Sequence, residues 1–144
     1  MFYGMNAWFL ATLVAGALWW VAGAEAPSWR RLPARAGAQA YVSAWSRGGP
    51  ALALLSLGAS ALGVAAALDT GDPLWAIAAA TLFAAIPFTI VAMGGVGHAL
   101  RDAAADAAPS EADVARLFKR WSQRHLIRCA IASLAVVLFI IAAH

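Results

Sequence analysis

Three residues in the last third of the chain, Trp121, His125 and Arg128, are spaced i, i+4 and i+7, so a helix places all three on one face. The apolar run that follows, residues 129–143, is too short to cross a bilayer alone, since a span needs roughly 20 apolar residues. The helix must therefore start upstream and draw His125 and Arg128 toward the membrane boundary. An ionisable side chain at that depth is a functional candidate, because charge is costly there.

Two more ionisable residues end apolar runs and are expected at the same depth. Glu25 ends the first run, just before Pro27, and His98 ends the third run. With His125 they form a set of two histidines and one carboxylate, which suits non-haem iron. No short spacing typical of metal ligands supports that set, so we expect no metal, and iron stays an alternative.

Each of these residues also has a simpler interpretation. Arg128 at a helix end can extend its charged group to the membrane surface. His125 can be a solvated interfacial residue, and Trp121 can anchor the helix at that interface. Glu25 can serve as an ionic partner of Arg128. The residues alone leave these alternatives open.

The composition is that of a membrane protein. Of 144 residues, 63% are hydrophobic and 12% are charged, whereas a soluble domain has roughly 25% charged residues. The net charge of +3 does not indicate nucleic acid, because the basic residues are confined to the edges of apolar runs, where they meet lipid headgroups. The expected partners are membrane lipids, and no nucleic acid.

Four long apolar runs predict an all-α fold, a polytopic four-helix transmembrane bundle with up-down topology. Alanine, glycine and serine are frequent in all four runs, which lets helices approach closely. We expect a single integral membrane domain over residues 1–144, with spans at about residues 5–24, 48–68, 73–97 and 125–143.

The distribution of charge predicts the orientation. All ten Lys and Arg residues fall within residues 30–47 and 101–128, whereas the connection at residues 69–72 is acidic. By the positive-inside rule the loops at residues 25–47 and 98–124 are cytoplasmic, so both termini lie outside. Frequent alanine and arginine hint at a GC-rich bacterial genome. We therefore expect a multi-pass protein of the bacterial inner membrane.

Local signals predict where helices begin and bend. Ser110, with Asp113 three residues on, is typical of a helix start, and neither Pro nor Gly follows as far as Ala143. Pro87 should kink the third run and free a carbonyl near mid-membrane. Residues 69–72 should form a tight hairpin.

An ordered set of motifs runs through most of the chain. It comprises Glu-Ala-Pro at residues 25–27, Arg-Arg-Leu-Pro at 30–33, Gly-Asp-Pro-Leu-Trp at 71–75, Ile-Pro-Phe-Thr-Ile-Val-Ala-Met at 86–93 and Trp-x-x-x-His-x-x-Arg at 121–128. The chain thereby resembles the DUF1772, or anthrone oxygenase-like, family of small four-helix membrane proteins. Two motifs depart from the family, which commonly has His in place of Ala26 and Pro-Thr-Asn in place of residues 94–96.

The resemblance implies an oxygenase that converts an anthrone-like polyketide, or a similar hydroquinone, into its quinone with O2 as co-substrate and without a cofactor. His125 is then the general base, because imidazole titrates near neutral pH. Arg128 binds the oxyanion with its planar fork, and Glu25 orients His125 or pairs with Arg128. The hydrophobic aromatic substrate would be held by Trp121, Trp20 and His98.

The alternative is a protein of another class, a small non-catalytic membrane subunit or a hydrophobic-ligand-binding protein. Helices rich in small residues suit packing against a second copy or another membrane protein. The departures at Ala26 and Val96 favour this alternative, since the missing Asn would hydrogen-bond a substrate. A protein of this class would consume no oxygen.

Overall fold

The computed structural model describes residues 2–144, and over that range every regular element is helical. The α-helices are α1 (Phe2–Trp20), α2 (Ala26–Trp29), α3 (Ala34–Thr70), α4 (Pro73–Phe88), α5 (Gly94–Ala105) and α6 (Glu111–Ala142). Two π-helical segments, Val21–Glu25 and Thr89–Met93, join α1 to α2 and α4 to α5. The resulting four continuous stretches are each long and apolar enough to cross a membrane. This confirms the predicted all-α, four-helix membrane architecture.

The helices extend well past the predicted spans. α3 begins at Ala34 and runs through most of the stretch predicted as a loop at residues 25–47. α5 continues past His98 to Ala105. The reason is that arginine, alanine and glutamine are good helix formers, whereas hydropathy marks only the part of a helix that lipid surrounds. By contrast, the start of α6 at Glu111 and its continuous run to Ala142 agree with the helix predicted from Ser110 onwards. Where the membrane surfaces cross these helices stays a prediction.

Both π-helical segments adjoin a proline. Pro27 follows Val21–Glu25 and has no N–H to donate, and the N–H before it, that of Ala26, reaches five residues back to the carbonyl of Val21. The second segment has its proline on the other side, since Pro87 lies in the last turn of α4, just before Thr89–Met93. The interruption predicted at Pro87 therefore takes the form of a widened helical turn, and such turns often occur at functional sites.

Polar caps define the ends of the helices. At the hairpin between α3 and α4, Gly71 has a φ of 74°, the left-handed conformation that favours glycine. Asp72 caps α4 by accepting a hydrogen bond from the N–H of Leu74 at 2.9 Å. Ser110 caps α6, as predicted, by accepting one from the N–H of Asp113 at 3.5 Å.

The helices α1, α3, α4 and α6 form a closed ring in which each packs mainly against two neighbours. Small residues allow the close approach. A Cβ added at Gly63 of α3 would lie 2.8 Å from the ring of Phe139 and 2.9 Å from the Cβ of Ala79, so only glycine fits without a shift. Gly4 of α1 packs in the same way on the ring of Trp75. Such packing drives helix association in membranes.

The interior has two parts. One is an alanine-rich apolar core that includes Leu82 and Phe139. The other is a cluster of aromatic residues at the end of the bundle where the connection before α3 carries Arg30 and Arg31 and the first half of α6 carries further arginines. We call that end of the bundle the basic end. On α6, His125 and Arg128 lie where the aromatic cluster meets the apolar core.

Candidate functional site

The face of α6 predicted to point into the bundle does so. Trp121, His125 and Arg128 are buried, and so are Ala132 and Ala135, which continue the same face. Arg128 is therefore not an interfacial residue that extends to the surface, and His125 is not solvated. The simpler interpretations of both residues are wrong for this reason.

His125 is fixed between α1 and α6. Its side chain is 0% exposed, and its Nε2–H donates a hydrogen bond to the carbonyl oxygen of Leu18 at 2.9 Å. The imidazole stacks on the indole of Trp121, with ring centroids 4.6 Å apart and planes 10° apart. With Nε2 as the donor, Nδ1 of the neutral ring is an acceptor, and it is buried without a partner in residues 2–144.

Arg128 brings a charge into the bundle. Its side chain is 5% exposed, and Nη1 donates to the hydroxyl oxygen of Thr89 at 3.3 Å. The guanidinium carbon lies 5.4 Å from the centroid of the Trp45 ring, within the range of a cation–π interaction. Nε is buried without a hydrogen-bond partner, and no carboxylate of the described chain forms an ion pair with Arg128. A buried cation without a counter-ion is costly, so the site favours an anionic ligand.

Side chains of α6 hold both interrupted helices in place. Arg124 donates from Nη1 to the carbonyl of Ala92 at 2.6 Å, within the segment Thr89–Met93. Arg128 binds Thr89 in that segment, and His125 binds the Leu18 carbonyl just before the segment Val21–Glu25. Three neighbouring donors on one helix thus position the two proline-associated turns around the site.

Aromatic rings surround the guanidinium on its basic-end side. The ring of Tyr41 makes edge contacts with Trp29 at 5.7 Å and with Trp121 at 5.6 Å. The ring of Trp45 stacks nearly parallel to that of Tyr41, with centroids 6.4 Å apart and planes 12° apart. The added Cβ of an alanine at position 97 would lie 3.1 Å from the Tyr41 hydroxyl, so Gly97 admits this ring. The arrangement offers flat apolar surfaces beside a positive charge.

A cavity of about 330 Å³ opens between α1 and α3 at this point. We call it the aromatic cavity, because five aromatic side chains line it together with Arg128, Glu25 and small residues of α3. The aromatic members are Trp20, Trp29, Tyr41, Trp45 and Trp121. Its size and its mixture of apolar wall and a few polar groups are typical of a small-molecule site.

A second cavity, of about 200 Å³, adjoins Trp45 and lies between α1, α3 and α4. We call it the aliphatic cavity, because most of its wall is formed by alkyl side chains. Those residues are Val14, Leu18, Leu52, Ala53, Ala85, Ile86 and Ile90. Trp45, Gly49, Leu52 and Arg128 line both cavities. The guanidinium therefore lies at the boundary between two spaces of different chemistry.

The structure brings four of the six predicted site residues to one cavity. These are Trp20, Glu25, Trp121 and Arg128. His125 lies behind Trp121 and lines neither cavity. His98 is exposed, and its Nδ1–H donates to the carbonyl of Gly94 at 2.8 Å. It lines neither the aromatic nor the aliphatic cavity.

Two predicted pairings are not formed. Glu25 is half-buried in the aromatic cavity, but the partner of His125 is the Leu18 carbonyl, and within residues 2–144 Glu25 has no ion pair with Arg128. The arrangement of potential metal ligands can also be described. The described residues contain no group of three potential ligands that could hold a metal ion, and His98 is not brought to His125.

Sequence reasoning missed Tyr41, Trp45 and Thr89. The first two lie in residues 25–47, which the hydropathy pattern assigned to a loop. Their i, i+4 spacing, continued backwards by Gly37, is that of a buried helix face and could have revealed them. No sequence signal pointed to the Leu18 carbonyl, because a main-chain partner has no residue type of its own.

Fold and site together define a small multi-pass membrane protein, a four-helix bundle with a buried cation beside an aromatic cavity. The model of the family described as anthrone oxygenase matches residues 38–138, most of the chain, so the protein belongs to that family. The match covers Tyr41, Trp45, Trp121, His125 and Arg128. Comparison with curated proteins and with solved structures found no match.

Proposed function

We propose that this protein is a membrane-embedded oxygenase that oxidises an anthrone-like or hydroquinone-like aromatic substrate with O2. The observation that carries the proposal is the guanidinium of Arg128, buried without a carboxylate partner in the described chain and lining an aromatic cavity. Membership of the anthrone oxygenase family supports the same class of reaction.

The reaction requires no cofactor, and O2 is the co-substrate. A base removes one benzylic proton from the anthrone, and the resulting anthrolate transfers one electron to O2. The superoxide and the neutral anthronyl radical combine at the benzylic carbon to give a peroxide anion. This anion takes back the proton held by the base and becomes a hydroperoxide. Loss of the second benzylic hydrogen as a proton then breaks the O–O bond and forms the quinone carbonyl. The oxygen that leaves takes up a proton as water, so anthrone and O2 give quinone and water.

Arg128 is proposed to bind the oxygen on which charge develops. The anthrolate carries its negative charge on the ring oxygen, and a fixed guanidinium in an apolar site stabilises that charge more than it would in water. Since the neutral anthrone gains less from the same contact, the interaction lowers the barrier to deprotonation. The faces of Trp45 and Trp121 would hold the flat ring system of the substrate so that its oxygen contacts the Arg128 guanidinium.

Glu25 is proposed as the proton acceptor in place of His125. A general base must lie within hydrogen-bond reach of the proton that it removes. His125 donates from Nε2 to Leu18 and lines neither cavity, whereas Glu25 is the carboxylate that lines the aromatic cavity with Arg128. We therefore assign His125 a positioning role, in which it holds Trp121 and α1 in register with α6.

The proposal includes a location and an orientation. The basic end of the bundle would face the cytoplasm of a bacterial cell, with both termini outside the inner membrane. A hydrophobic aromatic compound would then reach the aromatic cavity laterally from the lipid, because Trp20 at its edge is 65% exposed. Lipids, and a second copy or another membrane protein, are the partners expected on the remaining apolar surface.

Oxygen uptake by the purified protein in detergent tests the function. A panel of anthrones and hydroquinones would be offered to the wild type, to Arg128→Gln and to Arg120→Gln, whose arginine is exposed on the same helix. We expect quinone formation coupled to oxygen uptake, lost in Arg128→Gln and retained in Arg120→Gln. No uptake above the spontaneous rate on any member would overturn the oxygenase in favour of a non-catalytic protein that binds hydrophobic ligands.

A further inference from the structure

The aromatic and aliphatic cavities meet at Arg128 but differ in their walls. Aromatic rings and Glu25 line the first, and alkyl groups dominate the second. Gly48 of α3 lines the aromatic cavity, and a Cβ added at Gly49 would lie 3.3 Å from the Trp45 ring. Gly49 lines both cavities, and Trp45 lies at their boundary. A molecule whose polar centre contacts Arg128 can therefore extend into both spaces.

The aliphatic cavity has few groups that could recognise a polar substituent. The hydroxyl of Ser56 already donates to the carbonyl of Leu52 at 2.8 Å. The hydroxyl of Thr89 donates to the carbonyl of Ala85 at 2.7 Å and accepts from Arg128. Beyond the guanidinium at its edge, this space suits hydrocarbon.

We infer that the two cavities form one composite site for an aromatic phenolate that bears an aliphatic chain. The ring system occupies the aromatic cavity, the phenolate oxygen contacts Arg128, and the chain occupies the aliphatic cavity. This inference rests on the proposed function for its aromatic half, and it narrows the substrate class to alkyl- or prenyl-substituted hydroxyaromatics.

The residues that line both cavities favour a single ligand with an aromatic part and an aliphatic part. A lipid acyl chain could fill the aliphatic cavity alone, but it would leave Arg128 without an anion. A chainless phenolate would satisfy Arg128 but leave an apolar space beside it unfilled. A chain-bearing phenolate satisfies both, because the charge and the hydrocarbon meet at the residues that line both cavities.

Binding of inert ligands tests the inference without relying on turnover. The probes are a hydroxyanthraquinone without an alkyl substituent and the same molecule with a pentyl chain, both of which are already oxidised. Their Kd values would be measured by quenching of tryptophan fluorescence in detergent. Each ligand's Kd is compared between variants, so the partition of that ligand into micelles cancels from the ratio of the two Kd values.

Three leucine substitutions form a matched set. Ala53→Leu fills only the aliphatic cavity and Gly48→Leu only the aromatic cavity. Gly16→Leu adds the same side chain at an exposed site outside both cavities. An added Cβ meets no atom within 4 Å at Gly16 or Gly48.

We expect Ala53→Leu to weaken binding of the pentyl ligand by about tenfold or more, since one methylene in a fitted pocket is worth about that factor. The same substitution should change the Kd of the chainless ligand by less than about twofold. Gly48→Leu should weaken the binding of both ligands, and Gly16→Leu should weaken the binding of neither. The inference would be overturned if Ala53→Leu changed the Kd of both ligands equally. It would also be overturned if Ala53→Leu changed neither Kd, which is the result expected if a lipid chain fills the aliphatic cavity.

The wild type alone supplies a second measurement. A series of chain lengths should show affinity, corrected for micelle partition, rising to a maximum and then falling when the chain exceeds the cavity. A flat series would contradict the composite site even if Ala53→Leu fails to fold. Chain-selective binding without oxygen uptake would contradict the oxygenase and leave the composite site intact, so the two failures are distinguishable.

Discussion

The imidazole Nε2 of His125 lies 2.9 Å from the carbonyl oxygen of Leu18 and donates its hydrogen to it. This bond joins α6 to α1 close to the start of the segment Val21–Glu25. The last residue of that segment, Glu25, lines the aromatic cavity. His125 therefore affects the site through the position of α1 and of the stacked Trp121. A residue that positions its neighbours in this way and a residue that removes the substrate proton respond differently to substitution.

Replacing His125 by Gln should lower thermal stability and turnover together. The loss of the stack and of a well-directed buried hydrogen bond should cost about 1–3 kcal/mol. The acid limb of the pH–rate profile should remain in the residual activity, since the group that titrates is not His125. Disappearance of that limb in His125→Gln, with unfolding unchanged, would restore His125 as the base.

Glu25→Gln should separate catalysis from binding. We expect kcat to fall by about 10²–10⁴-fold, the usual contribution of a general base. The Kd of an inert hydroxyanthraquinone should change by less than about threefold, because Gln keeps the shape of Glu. Asp102→Asn, at an exposed carboxylate of α5, serves as the control. A Glu25→Gln variant with wild-type kcat would rule out the assignment.

Gly63→Ala should destabilise the bundle without changing the site. The new Cβ would be 2.8 Å from the Phe139 ring and 2.9 Å from the Cβ of Ala79, at the crossing of α3 with α4 and α6. Overpacking of this kind costs about 1–3 kcal/mol. Gly16→Ala, where the added Cβ meets nothing within 4 Å, should be neutral or stabilising. Equal melting curves for the two variants in detergent would contradict the packing described.

Labelling of single cysteines should establish the orientation. The native Cys129 is buried and would be replaced by alanine. In intact cells, a membrane-impermeant maleimide should label Thr70→Cys in the acidic hairpin, whereas Ala107→Cys near the basic end should react only after permeabilisation. Both positions are exposed in the structure. The reverse pattern would show that the positive-inside prediction is wrong for this chain.

Much of the fold follows from the sequence because hydropathy and proline are local signals. The four apolar stretches, the Ser110 cap and the interruption after Pro87 all depend on residues close together in the chain. The early start of α3 at Ala34 did not follow, since charged residues that form helices look the same to hydropathy as a polar loop.

The candidate site was predictable in part. The i, i+4, i+7 spacing identified the buried face with Trp121, His125 and Arg128. The roles within that face depend on what α1, α3 and α4 bring to it. The Leu18 carbonyl, the Trp45 ring and the Thr89 hydroxyl come from distant parts of the chain, and only the fold shows which of them each α6 side chain contacts.

The most direct test of the account is the absorption spectrum of a hydroxyanthraquinone bound to the purified protein. If Arg128 binds the oxyanion, the ligand should show its phenolate band on the wild type at a pH at which it is neutral in empty micelles. The band should persist in Arg120→Gln and be absent in Arg128→Gln. A bound ligand that stays neutral on the wild type, or a phenolate band that survives Arg128→Gln, would contradict the central claim.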